Sequence, residues 1–373
     1  MQISVWEKES FFAPCDVAIA GSGFVGLWSA YYLKKKQPDL RVTIIDRGII
    51  PTGASTRNAG FACYGSVTEL VKDAETMGED NMLNLVEMRY RGIRRIQKLF
   101  DEKEIDFKNF GGYELISNHN YKLLFEEVKW LNKLLRPIFS SKNTFRFANE
   151  KINEFGFEGI RHLIHTKPEE QLHSGKLCLK LLQLVQSMGV TVISGAEVKY
   201  YENSANGVRV FADKFSIQAG KLLICTNAFA MHLLPGLDIV PARGQILVTE
   251  PIPSLKIKGA FHFDEGFYYF RNLGNRLLLG GARNSAIEEE TTDRMDISDN
   301  IQLRLEEFLT RHLLPGKKPQ ITDRWSGIMG MGTEVMPIVK ELLPGVFCAV
   351  RMGGMGVALA PLAGDQVSDM MIG

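Results

Sequence analysis

The sequence predicts an α/β fold in which a Rossmann-like nucleotide-binding domain is interleaved with an antiparallel-sheet α+β domain. A glycine-rich βαβ unit opens the chain, nucleotide-type elements recur at about 170–230 and at the C-terminus, and alternating strand patterns lie between them. With 373 residues, of which 45% are hydrophobic, the chain can bury a sizeable core, which suggests two domains or one large domain with insertions. The predicted division assigns 1–80, 150–235 and 325–373 to the nucleotide-binding domain, and 81–149 and 236–324 to the second domain.

The opening βαβ unit has the order of parts that a dinucleotide site requires. A buried strand at 17–20 leads into the GxGxxG motif at 21–26, and helical spacing continues to about Lys36. A second apolar strand ends on Asp46, about 20 residues beyond Gly26, where a carboxylate can accept hydrogen bonds from a ribose. An ordinary βαβ unit with a glycine-rich turn is the alternative interpretation.

Each glycine of the motif has its own predicted role. Gly21 permits the tight turn, and Gly23 lets the backbone approach a pyrophosphate whose charge is met by the helix N–H groups. Gly26 allows the helix to pack closely on the strand. The three roles together favour a bound dinucleotide over a simple turn.

Composition limits the class of protein. The net charge of +1 gives no indication of a nucleic-acid partner. No apolar run approaches the ~18 residues of a membrane span, and the N-terminus lacks a signal-peptide pattern. We therefore expect a cytoplasmic protein. The odd number and wide spacing of the five cysteines predict reduced thiols, with no disulfide framework and no zinc or other metal site: Cys15, Cys63, Cys178, Cys225 and Cys348.

Local patterns predict the other elements. A glycine-rich loop is expected at 50–66. Predicted helices cover 67–100, 121–136, 172–188 and 301–312, and predicted strands include 111–117, 190–193, 222–225 and parts of 245–282.

Several segments in a fixed order resemble the D-amino-acid oxidase and glycine oxidase superfamily of FAD-dependent oxidoreductases, most closely its amine-oxidising, gamma-glutamylputrescine oxidase-type branch. The resemblance covers nearly the whole chain and implies an FAD-binding domain beside a substrate domain, with non-covalent FAD. The segments are the GxGxxG motif with Asp46, GASTRNAGF (53–61), GVTVISGAEV (189–198), LLICTNAFA (222–230), PARGQIL (241–247), FYYFRNLGNRLLLGGAR (267–283) and GGMGVALAPLAG (353–364).

The resemblance also implies which residues contact FAD. Gly21, Ser22, Gly23 and Gly26 would hold the pyrophosphate, Asp46 the ribose, and Arg47 the adenine or a phosphate. The loop that passes the pyrophosphate and the flavin would supply Ser55, Thr56, Arg57, Asn58 and Ala59. Val198 would bracket the adenine, Thr226, Asn227 and Ala228 would pass the diphosphate, and Gly353, Gly354, Met355, Gly356 and Val357 would place N–H groups near the flavin N1–C2=O region.

The candidate catalytic residues are Arg57, Arg243, Tyr269 and Arg271. A structural alternative exists for each assignment: Arg57 as a solvated loop residue, Thr56 and Asn58 as turn residues, residues 353–356 as a plain tight turn, and Arg243 as a surface strand residue. Tyr268 and Tyr269 alternate along a strand, so only one can face the cavity, and we expect the other to pack in the core.

The chain departs from the family pattern at the substrate. Met329 occupies the position of the arginine that clamps a substrate carboxylate in the family, and this change removes a charge-assisted interaction of about 1.5 to 3 kcal/mol. The change favours an amine, or a carboxylate bound elsewhere by Arg271 or Arg283. Leu277 or Leu278 replaces the lysine of sarcosine oxidases, which leaves oxidase and dehydrogenase activity open. No cysteine stands near 328–331 to attach the flavin.

The resemblance therefore implies oxidation of a C–N bond of an amine or amino acid by hydride transfer to flavin N5, giving an imine that hydrolyses. The partners would be a small-molecule substrate and O₂ or another electron acceptor. The alternatives are a non-catalytic FAD-binding assembly factor or complex subunit and a nicotinamide-linked dehydrogenase. We predict non-catalytic positions for the seven histidines, with His119 in a turn and the others on loops, helix faces or strand edges: His162, His165, His173, His232, His262 and His312.

Overall fold

The computed structural model describes residues 2–118 and 120–373. The helices are α1 (Val5–Glu9), α2 (Phe24–Lys36), α3 (Ala54–Arg57), α4 (Val67–Met77), α5 (Glu79–Leu99), α6 (Tyr121–Leu134), α7 (Arg136–Phe139), α8 (Glu150–Phe155), α9 (Ser174–Ser187), α10 (Ile287–Glu290), α11 (Asp299–Phe308) and α12 (Gly356–Ile372). The strands are β1 (Cys15–Ala20), β2 (Val42–Asp46), β3 (Phe61–Ala62), β4 (Gly112–Ile116), β5 (Phe145–Phe147), β6 (His162–Thr166), β7 (Glu170–Gln171), β8 (Thr191–Ser194), β9 (Val198–Ser204), β10 (Gly207–Ala212), β11 (Ser216–Ile224), β12 (Val240–Thr249), β13 (Ala260–Phe263), β14 (Tyr268–Leu273), β15 (Arg276–Gly281), β16 (Ile321–Met331), β17 (Ile338–Leu343) and β18 (Val346–Val350).

The first large sheet has the strand order β17-β18-β11-β1-β2-β8. Strands β18, β11, β1, β2 and β8 run parallel, so their carboxyl ends meet at one edge. The hairpin of β9 and β10 pairs with the first half of β11. In open α/β sheets the crevice outside the carboxyl ends binds dinucleotides, which places the predicted cofactor site at this edge.

Close helix contacts hold the glycine motif in place beside this sheet. A Cβ at Gly26 would overlap the carbonyl oxygen of Gly21, so α2 can approach β1 only with glycine at this position. On the other side of α2, a Cβ at Gly364 of α12 would come within 2.8 Å of the Trp28 Cβ. The side chains of Ile19 in β1 and of Leu27 and Trp28 in α2 are buried. Packing on both sides of α2 thus fixes the start of this helix relative to the carboxyl edge of the sheet.

The second large sheet has the order β16-β12-β15-β14-β13-β4-β6-β5, with antiparallel pairs except between β13 and β4. Its outer face packs on α11, where Phe261, Phe270 and Leu305 form an aromatic-rich core. Residues paired across neighbouring strands point to the same face of a sheet. One such line of paired residues, here called the central row, crosses six strands and consists of Glu114, His262, Tyr269, Gly280, Ile246 and Trp325.

The predicted fold class is confirmed, with one parallel nucleotide-type sheet and one mainly antiparallel sheet built from interleaved segments. Two local expectations differ from the structure: the predicted loop at 50–66 contains α3 and β3, and the helix predicted to end at His312 is α-helical only to Phe308, with a π-turn after it.

Sheet membership also differs from the predicted domain boundaries. β6 and β16 lie in the second sheet, whereas the predicted boundaries at 150 and 325 assign all of β6 and most of β16 to the first domain.

Within residues 2–118 and 120–373, no helix combines the length and the apolar character needed to cross a bilayer.

Candidate functional site

A cavity of about 440 Å³ lies where the carboxyl edge of the first sheet meets the inner face of the second. Both sheets contribute to its wall. The lining includes the β1–α2 loop, the end of β2, the α3 segment, the turn after β11, part of the central row, and residues 352–358 before and at the start of α12.

The glycine loop and Asp46 form one hydrogen-bonded unit at the cavity wall. Asp46 Oδ2 accepts hydrogen bonds from the backbone N–H and the hydroxyl of Ser22, both at 2.7 Å, and Oδ1 accepts one from Gly48 N at 2.8 Å. Gly21 has a φ of 102°, and a Cβ there would lie 3.0 Å from the carbonyl oxygen of Cys225. Asp46 keeps lone pairs for a ribose, while Ser22 and Gly26 lie behind the cavity wall and shape the loop.

The α3 segment is held by its own side chains and by the second sheet. Ser55 Oγ accepts a hydrogen bond from Phe24 N at 2.8 Å, and Thr56 Oγ1 donates to Pro51 O at 2.5 Å. Asn58 Nδ2 donates to the carbonyls of Ala54 and Ser55. Thr56 and Asn58 therefore stabilise the turn, as the structural alternative expected, although Asn58 also lines the cavity with Ser55 and Ala59.

Arg57 connects the loop before α3 to the second sheet at the cavity wall. Its Nε donates to Thr52 O at 2.9 Å and its Nη1 to Ser326 O of β16 at 2.9 Å. The side chain lines the cavity. Arg57 is thus a bridging residue with fixed partners, which argues against the solvated-loop alternative.

At the end of the cavity beside β2, Arg47 lies flat on an aromatic ring. Its guanidinium carbon is 3.6 Å from the centroid of Phe229. Val198, the first residue of β9, lines this end together with Arg47 and Asp46.

The turn after β11 presents two polar side chains. Thr226 Oγ1 is buried and lacks a hydrogen-bond partner among the described residues, and Thr226 lines the cavity. Asn227 adopts a φ of 48°, and its Oδ1 accepts hydrogen bonds from the amides of Arg351 and Met352 at 3.1 and 3.3 Å. Asn227 therefore positions the segment before α12, whereas Ala228 is fully buried outside the lining.

The segment before α12 presents backbone N–H groups to the cavity. Gly353 and Gly354 have φ values of 55° and 80°, a conformation that favours glycine, and Gly356 begins the helix. The first-turn amides of a helix have no intrahelical acceptor, and the positive end of its dipole lies there. Residues 353–357, with Met355 and Val357 among them, all line the cavity. The amides of Gly353 and Met355 donate to Gly330 O and Met352 O, which leaves those of Gly354, Gly356 and Val357 to stabilise developing negative charge.

Tyr269 is the cavity-facing tyrosine of β14. A Cβ at Gly280 would come within 2.5 Å of the Tyr269 ring, so the small neighbour makes room for it. Burial raises the pKa of Tyr269 to about 12, which keeps the phenol neutral at physiological pH. Tyr268 points to the opposite face and stacks on Phe308 with ring centroids 4.6 Å apart, as expected for the tyrosine in the core.

Two of the predicted catalytic arginines lie outside the cavity lining, and both assignments are corrected. Arg243 lies on the outer face of β12, because Gly244 lines the cavity and neighbouring strand residues alternate between faces. Its Nη2 and Nε donate to Glu290 at 2.7 and 3.0 Å, and its Nη1 contacts Asp296. Arg243 is buried together with Glu290, whereas Asp296 is half-exposed, so Arg243 is not a surface strand residue.

Arg271 shares the face of Tyr269 but lies two residues further along β14. A Cβ at Gly60 would come 3.0 Å from Arg271 Nη2, so the guanidinium sits beneath the loop after α3. Its Nε lacks a partner among the described residues, and burial lowers the pKa of Arg271 to about 10. Arg271 is therefore covered by the loop and not available to a ligand in the cavity.

The sequence did not identify an ionisable cluster at the second-sheet side of the cavity. His262 Nδ1 lies 3.4 Å from Glu69 Oε2, and His262 Nε2 lies 3.4 Å from Glu169 Oε2. Burial opposes the charged imidazole, but Glu169, Glu69 and Glu114 outweigh it and raise the pKa of His262 to about 9. Cys63, Glu69 and His262 line the cavity, and Arg283 lines it near Phe267.

The histidine predictions have mixed outcomes. His262 lies inside a central strand and not at a strand edge, and His232 lines the cavity with its Nε2 2.9 Å from Asp293 Oδ2. His119 falls outside the described residues. The hairpin turn at 264–267 could have shown from the sequence that His262 lies beside Tyr269, since the turn pairs these two residues. No local sequence pattern shows that Glu69 and Glu169 lie close to His262.

A family model described as "FAD dependent oxidoreductase" matches residues 16–370, which is nearly all of the chain. The chain belongs to this family. An FAD-dependent oxidoreductase requires FAD, and the residues of the cavity fit this cofactor. They include the turn at Gly21, which a side chain would obstruct, and the carboxylate of Asp46, which can bind a ribose. The hydroxyl of Thr226, unpaired within the described part of the chain, and the N-terminus of α12 can bind further polar groups. The family assignment excludes the nicotinamide alternative.

Curated relatives of this FAD-dependent oxidoreductase match almost its whole length. A probable oxidoreductase OrdL from Rhizobium meliloti is 25% identical over 368 residues, covering 96% of this chain and 83% of the relative. The gamma-glutamylputrescine oxidoreductase of Escherichia coli is 23% identical over 380 residues, covering 96% and 84%.

Among solved structures, glycine oxidase from Geobacillus kaustophilus aligns with a TM-score of 0.77 and 20% identity over 96% of this chain and 95% of that one. Iminodiacetate oxidase from Chelativorans sp. aligns with a TM-score of 0.77 and 19% identity over 95% of each chain. These structures support the fold.

Proposed function

We propose that this FAD-dependent oxidoreductase oxidises a C–N bond of a small-molecule amine. A hydride would leave the substrate carbon next to nitrogen for flavin N5, and the resulting imine would be hydrolysed by water. The bound flavin supplies the two-electron oxidant. The observation that carries the proposal is that one cavity is lined jointly by the dinucleotide-binding loop, residues 353–357 and Tyr269 of the second sheet.

The chain's contribution would be position and exclusion of water. Hydride transfer requires the reacting atoms about 3–3.5 Å apart and aligned, so a rigid, apolar wall matters more than an acid–base side chain. Phe61 packs edge-on against Tyr269 with ring centroids 6.1 Å apart, and Met329 and Met355 line the same space. These side chains can hold an aliphatic substrate against the flavin position.

The cavity favours an amine over an α-amino acid. Met329 lines the cavity at the position where the resemblance places a carboxylate-binding arginine. Losing a charge-assisted hydrogen bond costs about 1.5–3 kcal/mol, roughly ten- to a hundredfold in affinity. Arg271 is covered by a loop, which leaves Arg283 as a cavity arginine near the second sheet that could meet a carboxylate.

Two cofactor details belong to the proposal. The resemblance places a lysine at Leu277 or Leu278, and both are leucines; Leu278 packs with Ala59, Ile246 and Val248. O₂ activation by that lysine is therefore not part of the mechanism. Residues 328–331 contain no cysteine, so we propose non-covalent FAD. Cytoplasmic location, absence of metal and absence of a nucleic-acid partner stay predictions from composition.

The domain division is likewise proposed. Because β6 and β16 belong to the second sheet, we propose that the substrate domain includes them and the FAD-binding domain is built around β1, β2, β8–β11, β17 and β18.

Anaerobic titration of the purified holoenzyme tests the function. Primary amines, N-methyl amino acids, glycine and D-amino acids are added in turn, and bleaching of the flavin absorbance bands is recorded. We expect amines to bleach the flavin and α-amino acids to do so only at much higher concentration. Admitting air and assaying hydrogen peroxide then separates O₂ from another acceptor. Retention of full flavin colour with every compound, in a protein that dithionite still reduces, would support the non-catalytic FAD-binding alternative.

A further inference from the structure

We propose that Glu69 and His262 form an anionic subsite that binds a positively charged nitrogen of the substrate other than the one oxidised, so that the substrate class is a diamine or polyamine. This inference rests on the proposed function and specifies its substrate.

Glu69 has a free oxygen at the cavity. It lies in the first turn of α4, where its Oε2 accepts a hydrogen bond from Ser66 N at 2.9 Å and faces His262 Nδ1 at 3.4 Å. Its Oε1 has no hydrogen bond from any described residue, and its side chain is 20% exposed. Gly266 leaves space beside it, since a Cβ there would lie 2.5 Å from Oε1. The carboxylate is thus fixed by one oxygen and open at the other.

The groups behind Glu69 leave the subsite negative. Glu169 is fully buried, and neither of its oxygens has a hydrogen-bond partner among the described residues; the same is true of His262 Nε2. Glu114 accepts hydrogen bonds from Val67 N and Ser66 Oγ, and burial raises its pKa to about 7. With Glu114 set aside, two acidic side chains, Glu69 and Glu169, still contact one basic side chain, His262. One positive charge from a ligand would balance the cluster.

The bound charge must belong to a second nitrogen. A carboxylate in contact with an ammonium stabilises its protonated form. Oxidation at the adjacent carbon requires the neutral amine, whose lone pair forms the new C=N bond as the hydride leaves. Placing the reacting nitrogen on Glu69 would therefore oppose the reaction, whereas a distal ammonium would anchor the substrate and leave the reacting end free.

A metal ion is the competing occupant. Donor atoms of Cys63, Glu169 and His262 lie within 4.8 Å of one another. However, metal binding needs a thiolate and a neutral imidazole. Burial raises the pKa of the Cys63 thiol well above its usual value, and the neighbouring carboxylates keep His262 charged. The cluster is therefore better matched to a ligand cation that hydrogen-bonds to Glu69.

The test compares 1,4-diaminobutane with n-butylamine, which replaces the distal ammonium by a methyl group. The holoenzyme and its Glu69→Gln variant are titrated anaerobically, and flavin bleaching and the shift in unfolding temperature are both measured. Glutamine keeps the capping interaction at this helix position. Glu75→Gln, on the exposed face of the same helix, is the matched control.

We expect the diamine to act at a concentration about ten- to a hundredfold lower than the monoamine, and Glu69→Gln to remove this preference by weakening diamine binding alone. Equal responses to the two amines in the parent enzyme, or equal losses for both in Glu69→Gln, would overturn the subsite and leave amine oxidation standing. About one equivalent of zinc retained in the purified protein would also overturn it. If no amine bleaches the flavin, the proposed function fails, while preferential thermal stabilisation by the diamine would still support the subsite.

Discussion

Replacing Arg243 with methionine will destabilise the protein while leaving the proposed amine oxidation intact. Glu290 is fully buried and accepts two hydrogen bonds from Arg243, at 2.7 and 3.0 Å, and one from Gln245 at 2.9 Å. Removing the arginine leaves a buried carboxylate with the amide alone. Breaking a buried ion pair from one side costs about 3–5 kcal/mol, whereas the contact with half-exposed Asp296 adds less than about 1 kcal/mol.

Urea unfolding of the holoenzyme, followed by flavin release and tryptophan fluorescence, measures this loss. The double variant Arg243→Met/Glu290→Met should recover most of it, because replacing both partners by apolar groups is often neutral. Arg294→Met, a 76% exposed arginine beside the same Asp296, should change the free energy of unfolding by less than about 0.5 kcal/mol. A variant Arg243→Met of parental stability and FAD content that no longer undergoes flavin bleaching would refute the structural role.

Three further outcomes follow from the geometry. Gly21→Ala should lower the FAD content of the purified protein more than tenfold, because its φ of 102° and the 3.0 Å approach to Cys225 O exclude a Cβ. The control is Gly236→Ala, which has a φ of 89° and open space around it and therefore measures the effect of backbone strain alone. Equal FAD loss in both variants would contradict the reasoning. The charged imidazole of His262 should contribute about 3 kcal/mol to the free energy of unfolding, because its pKa in the folded protein is raised above the unfolded value of 6.5. This contribution is fully present below pH 6.5 and is lost as the pH rises through about 9. In His262→Asn this part of the pH dependence of unfolding should be absent, and an unchanged profile would argue against the charged imidazole. Met329→Arg should tighten the binding of acetate or another small carboxylate about ten- to a hundredfold, because the new guanidinium would reach the cavity that Met329 lines. The affinity is measured from the change in the flavin absorbance spectrum. An affinity equal to that of the parent would show that position 329 does not face the substrate.

Much of the nucleotide-binding half could be predicted because its signals are local. The glycine motif, the helix after it and Asp46 lie within one short stretch, and the structure brings Gly21, Gly23 and Asp46 to one cavity wall. Arg47, Val198 and Thr226 reach the same cavity through segments that the family resemblance supplied. The roles of Ser22 and Thr56 differ in detail, since both bond to the protein's own backbone or side chains.

The substrate side could be predicted less well, because strand alternation says which residues share a face but not which face meets the cavity. Arg243 and Arg271 were both candidates because they lie in segments that resemble the family, yet one points to the outer face with Glu290 and the other lies under the loop at Gly60. Long-range pairing of β12 with β15 and β16 decided the first, and packing of the α3 loop decided the second.

By itself, the sequence determined the fold class and the dinucleotide loop, because glycine spacing and hydrophobic periodicity are properties of neighbouring residues. The FAD family entered through the resemblance of several separate segments to known proteins, and the family match over residues 16–370 bears it out. Only the tertiary structure decided which charged side chains meet at the cavity wall beside the second sheet. Glu69, Glu169 and His262 come from separate parts of the chain, and the pKa of His262 depends on their distances and on burial. Such electrostatic coupling exists only after the second sheet has assembled and excluded water from the cluster.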